Sequence, residues 1–428
     1  MKNKKLNIGV FGGGRGYVMI EVLMNHPHAR LAAVCDKYEP LLDKVRAKAE
    51  SLGQEVSLYN NFEDFLNHPE LDAVVLANYA TEHATFAIRC MKAGKHVLSE
   101  VLPSETIAQA VELIETVEET GMVYAYAENY CYMQRSFEMW QRYRKGEIGE
   151  VKYAEGRYIH DCSSVWIDLT FGDVNHWRNR LFPTFYCTHS MGPLMTITGL
   201  RPKSVVGFEV PPPDSIVEAG RRTGAGMEIV TMENGAIFKS LHGPIKREPA
   251  ITTYAIYGNK GCMESGHEAN KKFNLYREGE TVCKGEWERY DPDIEIARED
   301  RLAVGIESHG GSDFYPTHCF IEKILGNEDG QWSIDVYTAV DMSLVGILAY
   351  RSILNGNAPV EIPNFRNKEE RDAWRNDHAC TNPEIAGDQL LPTTSVPALQ
   401  IPHTEEEAIR LRNLWLAKEK ARLEKEGK

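Results

Sequence analysis

The sequence predicts an α/β protein: an N-terminal Rossmann doubly wound sheet followed by an α+β domain with an open, mostly antiparallel sheet. Three observations predict it. Residues 7–16 read Asn-Ile-Gly-Val-Phe-Gly-Gly-Gly-Arg-Gly, an apolar run that breaks into glycines. Short apolar runs then alternate with helical patterns up to about residue 126. After residue 132 strand patterns dominate, with few helices between them.

Residues 7–11 make the first strand, and the apolar segment 17–23 follows at helical spacing. A glycine turn between them lets the backbone approach a pyrophosphate, and the next helix N-terminus offers free N–H groups. Gly12 and Gly14 supply the first two glycines of GxGxxG; Tyr17 holds the third position and Gly16 comes one residue early. Arg15 lies within this loop. The second strand, 31–35, ends in Asp36. A carboxylate there accepts hydrogen bonds from the adenosine ribose and repels a 2′-phosphate, so NAD rather than NADP is expected.

The alternation continues with a helix at 39–51, a strand at 56–58, a short helix at 62–66 and a fully apolar strand at 73–77. Helices at 82–93 and 107–120 stop at Gly94 and Gly121, and strands follow at 96–99 and 123–127. Glu128 follows the last of these strands, at the edge where such sheets bind ligands, with Asn129 beside it; Asn78 and Glu100 are further cofactor candidates, and His83, in the segment after the strand at 73–77, is expected to touch the cofactor only indirectly.

The second domain opens with a helix at 136–145 and an alternating strand at 151–160. Strands are expected at 204–210, 227–232, 236–241, 252–257, 262–264 and 273–276, and helices at 186–198, 314–325 and 335–354. The division is therefore 1–126, 127–364 and a polar tail, 365–428, whose last helix starts at the capping box Thr404-Glu-Glu-Glu. The terminal helix reads as a solvated face or a subunit contact, and a homo-oligomer is expected.

The formal net charge of −14 and the lack of a basic stripe exclude a nucleic-acid partner. No apolar run approaches the ~20 residues of a membrane span, and no apolar leader precedes the first strand. A cytoplasmic protein is expected. Nine cysteines without CxxC spacing fit reduced thiols, and the spacing of His160, Asp161, Cys162, His176 and His189 fits no standard zinc pattern. No metal is expected.

Several motifs carry a resemblance: Glu100-Val101, Glu128-Asn129-Tyr130-Cys131-Tyr132, Tyr158-Ile159-His160-Asp161, Trp177-Arg178, Tyr186-Cys187-Thr188-His189 with Gly192-Pro193, and His309-Gly310-Gly311. In this order the chain resembles the Gfo/Idh/MocA oxidoreductases over about residues 8–362, and within them it looks most like glycoside hydrolase family 109. It departs from ordinary dehydrogenases of the superfamily in reading Glu100-Val101-Leu102-Pro103 where they carry Glu-Lys-Pro, and in lacking Asp-x-Gly-x-His. A further active-site tyrosine of family 109 has Tyr290 as its nearest counterpart.

The resemblance implies an NAD-dependent glycosidase acting on a carbohydrate or glycoside by oxidation at C3, elimination of the aglycone, water addition and re-reduction. An NAD-dependent sugar or glycoside 3-dehydrogenase is the alternative, and an NAD-binding sensor or assembly subunit a third. Tyr158 and His160, two apart on a strand, share a face; Tyr186 and His189, three apart at a helix start, share another. These four are the expected catalytic groups, the first pair shuttling protons and the second holding or deprotonating the sugar. Glu100 and Glu128 are expected against the nicotinamide ribose and ring. Trp177 and Arg178 are assigned to the cofactor, Asp161 and His309 to the sugar.

Overall fold

The structure, a computed structural model, describes residues 5–265, 272–279 and 287–425. The first sheet holds β1 (Leu6–Phe11), β2 (Ala29–Cys35), β3 (Ser57–Tyr59), β4 (Ala73–Leu76), β5 (His96–Ser99) and β6 (Tyr124–Tyr126). They run parallel in the order β3-β2-β1-β4-β5-β6. The order reverses between β1 and β4, the crevice where open α/β sheets take ligands. Every residue of β4 is buried, as a parallel strand covered on both faces requires.

The first helix is Gly13–Asn25, so it begins inside the glycine run rather than at Tyr17. The turn consumes one residue. Gly12 has φ of 91°, and a Cβ there would lie 2.4 Å from the Asn78 nitrogen. A Cβ on Gly16 would lie 2.8 Å from Val10 Cγ1, so Gly16 provides the close helix–strand contact that the third glycine of the fingerprint gives elsewhere.

The second sheet holds β7 (Val151–Ile159), β8 (Pro202–Val210), β9 (Ala225–Met232), β10 (Ile237–Gly243), β11 (Ile251–Gly258), β12 (Gly261–Ser265), β13 (Phe273–Arg277), β14 (Glu288–Tyr290) and β15 (Val360–Glu361). Its order is β14-β13-β12-β11-β7-β10-β9-β8-β15. Among the described ladders only β7 with β10 is parallel. The helix Thr188–Thr198 packs on β7, β10 and β11. Gly156 allows the approach, because a Cβ there would lie 2.1 Å from the Ser190 carbonyl oxygen. The helix starts at Thr188, so Tyr186 stands just before it rather than within it.

The helix Val336–Leu354 lies against β8 and is buried along almost its whole length. Residues 328–354 are long and apolar enough to cross a membrane, a run that the sequence reading did not register. Of the 18-residue apolar window within it 78% is buried inside the fold, so it serves as a core helix here. The helix Phe314–Leu325 returns to the Rossmann domain. His26 Nε2 meets His318 Nδ1 at 3.0 Å, the His28 N–H donates to His26 Nδ1, and His318 Nε2 meets Asp329 at 2.9 Å. His26, His318 and Glu322 offer ligand atoms within 4.8 Å of one another. The chain of hydrogen bonds already employs the ring nitrogens of both histidines, so the cluster acts as a latch between the domains.

Candidate active site

A cavity of about 360 Å³ lies where the carboxyl edge of the first sheet faces the second domain. The Rossmann strand ends contribute Arg15, Asn78, His83, Glu100 and Asn129. The second domain contributes Tyr158, His160, Trp177, Arg178, Tyr186, His189 and His309. Residues up to 294 positions apart (Arg15 and His309) thus share one space.

Two dyads stand in it. Tyr158, next to last in β7, has its hydroxyl 3.1 Å from His160 Nδ1. Burial and the neighbouring Tyr130 phenol push the Tyr158 phenol well up, so it stays protonated near pH 7. His189 sits in the first turn of its helix with Nδ1 2.9 and 3.1 Å from the two Glu128 oxygens. With Nδ1–H donated to the carboxylate, Nε2 is left as the acceptor. The Tyr254 hydroxyl holds the His189 carbonyl at 2.6 Å. Tyr186 stacks on His189 at 5.8 Å and accepts from Arg178 Nη1 at 3.3 Å.

Arg15 pairs with Glu100 at 2.7 Å and with Asp313 at 2.8 Å. Asp313 also accepts from Asn129 Nδ2 (2.8 Å), Ser308 Oγ (2.5 Å) and His309 Nδ1 (2.7 Å). Burial alone would raise its carboxyl, but the His309 and Arg15 hydrogen bonds prevail and hold it well below the carboxylate range. Glu100 moves the other way: burial raises it against the opposing charge of Arg15.

The cofactor side fits a dinucleotide. Asn78 Oδ1, His83 Nε2 and Trp177 Nε1 are buried without a hydrogen-bond partner among the described residues, and all three residues line the cavity. Burial pulls His83 down to about 4, so its ring is neutral. A Cβ on Gly14 would meet nothing within 4 Å, which leaves open space beside the first turn of the helix. Asp36 accepts from the Gly13 and Tyr38 N–H groups at 2.7 and 2.8 Å, at the end of β2.

Three assignments change. Arg178, expected at the cofactor, gives Nη1 to Tyr186 beside His189 and so faces the sugar end of the cavity. Asp161 does not line the cavity; its carboxylate accepts from the Ser163 N–H at 3.0 Å and pairs with Lys246 at 2.7 Å, so it shapes the loop rather than meeting the sugar. Glu128 has no exposure and lies behind His189, orienting that ring instead of meeting the nicotinamide. Tyr290 bonds Glu138 and Arg142 away from the cavity. Sequence reasoning missed Asp313, Tyr130, Arg221 and His242, of which Tyr130, Arg221 and His242 line the cavity. Tyr130 lies inside the Glu128–Tyr132 motif and Asp313 two residues beyond His309-Gly310-Gly311; Arg221 and His242 carry no local signal.

This geometry defines an NAD-dependent enzyme built on a Rossmann domain and an open-sheet domain. Residues 6–128 match the oxidoreductase family with an NAD-binding Rossmann fold, and residues 230–374 match the glycosyl hydrolase 109 C-terminal domain. Through these two regions the chain is similar to the Gfo/Idh/MocA oxidoreductases and, in its second domain, to the glycosyl hydrolase 109 proteins. It is 27% identical over 394 residues to a glycosyl hydrolase family 109 protein of Solibacter usitatus, covering 85% of this chain and 89% of that one. A namesake from Porphyromonas gingivalis is 25% identical over 405 residues, 85% of each chain. Among solved structures, an NAD binding oxidoreductase from Klebsiella pneumoniae superposes with a TM-score of 0.67 at 18% identity, over 84% of this chain and 99% of that one. The scyllo-inositol dehydrogenase of Lactobacillus casei, with NAD(H) and scyllo-inositol bound, gives 0.64 at 18% identity, over 84% and 99%.

Proposed function

We propose that the protein is a glycosidase that cleaves by oxidation, elimination and re-reduction, with NAD retained through the cycle. The observation that carries this is the convergence of the Tyr158–His160 and Glu128–His189 dyads on a cavity whose other wall is the cofactor edge of the Rossmann sheet. Bound NAD supplies reversible hydride exchange at sugar C3. His189 Nε2, with Glu128 behind it, takes the C3 hydroxyl proton as that carbon becomes a ketone. The ketone acidifies the C2 proton. Tyr158 accepts that proton while passing its own to His160 Nδ1, so no tyrosinate has to accumulate. The C2–H electrons form the C1=C2 bond and the aglycone leaves with the C1–O pair. Water then adds its hydroxyl at C1 and a proton at C2, and reduction at C3 restores the sugar. Free paired carboxylates of the usual glycosidase kind are not needed on this route.

The test is turnover of aryl glycosides in deuterated water with catalytic NAD. The expected result is many turnovers, little net NADH, and deuterium at C2 of the released sugar. Stoichiometric NADH without aglycone release would instead support the 3-dehydrogenase, and cleavage without deuterium at C2 would remove the elimination step.

A further inference from the structure

Two arginines line the cavity without a carboxylate beside them. Arg221 Nε donates to Thr223 Oγ1 at 2.8 Å, and its guanidinium lies over the Trp166 ring, 4.8 Å from the centroid. Its Nη2 reaches the Gly224 carbonyl only at 3.5 Å, and Nη1 has no hydrogen-bond partner among the described residues. Arg178 gives Nη1 to Tyr186 at 3.3 Å and lies over Trp177 at 4.4 Å. Among the described residues neither arginine forms a salt bridge.

The acids nearby are engaged elsewhere. Glu100 holds Arg15, Glu128 holds His189, and Glu228 holds His242 at 2.9 Å. Glu209, whose charge reaches Arg221, accepts from the Gly224 N–H, Thr394 Oγ1 and Ser395. Burial, with the like charge of Arg178, pulls the Arg221 guanidinium down to about 10. A partly desolvated cation with no carboxylate in contact is unfavourable, and a second one facing the same space adds to that. A guanidinium fork matches carboxylate, sulfate and phosphate oxygens. The cofactor's pyrophosphate belongs at the Gly12–Gly16 turn, whereas the hydrogen bonds and ring contact of Arg221 go only to Trp166, Thr223 and Gly224 of the second domain.

We infer that the substrate is an anionic sugar, bearing a carboxylate, sulfate or phosphate that Arg221 and Arg178 hold at the Trp166 end of the cavity. This rests on the reading of the cavity as a sugar site.

The experiment is calorimetric binding to the NAD-loaded enzyme of glucuronate, galacturonate, glucose 6-sulfate and glucose 6-phosphate beside glucose and galactose, with aryl glycosides of the same sugars assayed for aglycone release. At least one acidic sugar is expected to bind about 10- to 100-fold tighter than its neutral parent, the range of a charge-assisted hydrogen bond. Arg221→Gln is expected to erase most of that ratio and Arg221→Lys to keep part of it, with NAD affinity as the check on folding. Neutral sugars binding as tightly as every acidic one would overturn the proposal, as would an unchanged ratio in a folded Arg221→Gln. Should that variant not fold, the wild-type ratio and its fall with added salt decide. Arg221-dependent acidic binding without aglycone release keeps the anionic subsite and breaks the glycosidase reading; release from neutral glycosides without acidic preference does the reverse.

Discussion

At the cofactor edge of the cavity the charges close on one another across the two domains: Arg15 donates to Glu100 and Asp313, and Asp313 also receives Asn129, Ser308 and His309. On the opposite side Tyr158, His160, Arg178 and Arg221 keep hydrogen-bonding capacity facing the cavity. A closed network has one low-energy arrangement and presents a fixed surface, which suits a cofactor held in one pose. Open donors and acceptors suit a molecule that arrives and leaves. His189 belongs to both sides: it comes from the second domain and is fixed by Glu128 at the end of the first sheet.

The largest expected effects therefore fall on the open wall. His189→Ala should lower kcat about 10³-fold and His160→Ala about 10²-fold, within the range for positioned acid–base groups. Both variants should keep NAD affinity, measured by fluorescence titration. Glu128→Gln should act like His189→Ala on kcat and also change the pH profile of kcat/KM, because the ring loses the carboxylate that fixes its tautomer. A His160 variant more damaging than a His189 variant would reverse the roles given to the two dyads.

Next comes the closed wall. Asp313→Asn removes the charge that three donors and Arg15 share, and the cost is about 2 kcal/mol of stability. The native carboxyl is held well below its unfolded value near 4. Its stabilisation is therefore complete above about pH 4 and is lost as pH falls below that. Melting curves of wild type and Asp313→Asn should stay a constant distance apart above about pH 5, and the gap should begin to narrow as pH falls from about 4 toward 3. A gap that does not narrow would show that the carboxylate is not the hub.

A third effect is smaller. Asp36→Ala should reduce the preference for NAD over NADP about 10-fold, through loss of ribose hydrogen bonds and of repulsion toward a 2′-phosphate. Titration of wild type and variant with both cofactors measures it, and equal wild-type affinities would remove the role of Asp36.

The difference between the walls also explains what could be read from the sequence. The Rossmann strands announce themselves locally, each a short apolar run followed by its ligand-facing residue, and Gly12, Asp36 and Glu100 could be placed by counting. The helix start at Gly13 could not, because it depends on how closely Gly12 passes Asn78 in the folded sheet. Tyr158 with His160 and Tyr186 with His189 were legible as same-face pairs. Asp313 acts on Arg15 from 298 residues away, and no spacing rule connects them. Arg221 follows a helix of five residues, Asp214–Glu218, and only the fold turns it toward Trp166. Asp161 was misassigned for the converse reason: its neighbours in sequence face the cavity, and it turns away to Ser163 and Lys246.

The smallest expected effect concerns what stands behind the open wall. The C-terminal helix Glu405–Lys425 packs on the segment that carries Trp166. Leu411 is buried against it, with its carbonyl 2.5 Å from where a Cβ on Gly172 would stand. Lys418 reaches Asp168 at 2.7 Å and the Ser164 carbonyl at 3.2 Å, but both side chains are about half exposed. Solvent and salt screen such a pair to well under about 1 kcal/mol. Lys418→Ala should accordingly shift Tm by no more than about 2 °C and leave KM unchanged, because the apolar contact at Leu411 still seats the helix. A raised KM in this variant would mean that the tail's charges set the position of Trp166, and the openness of that wall would then be a property of the tail rather than of the second sheet.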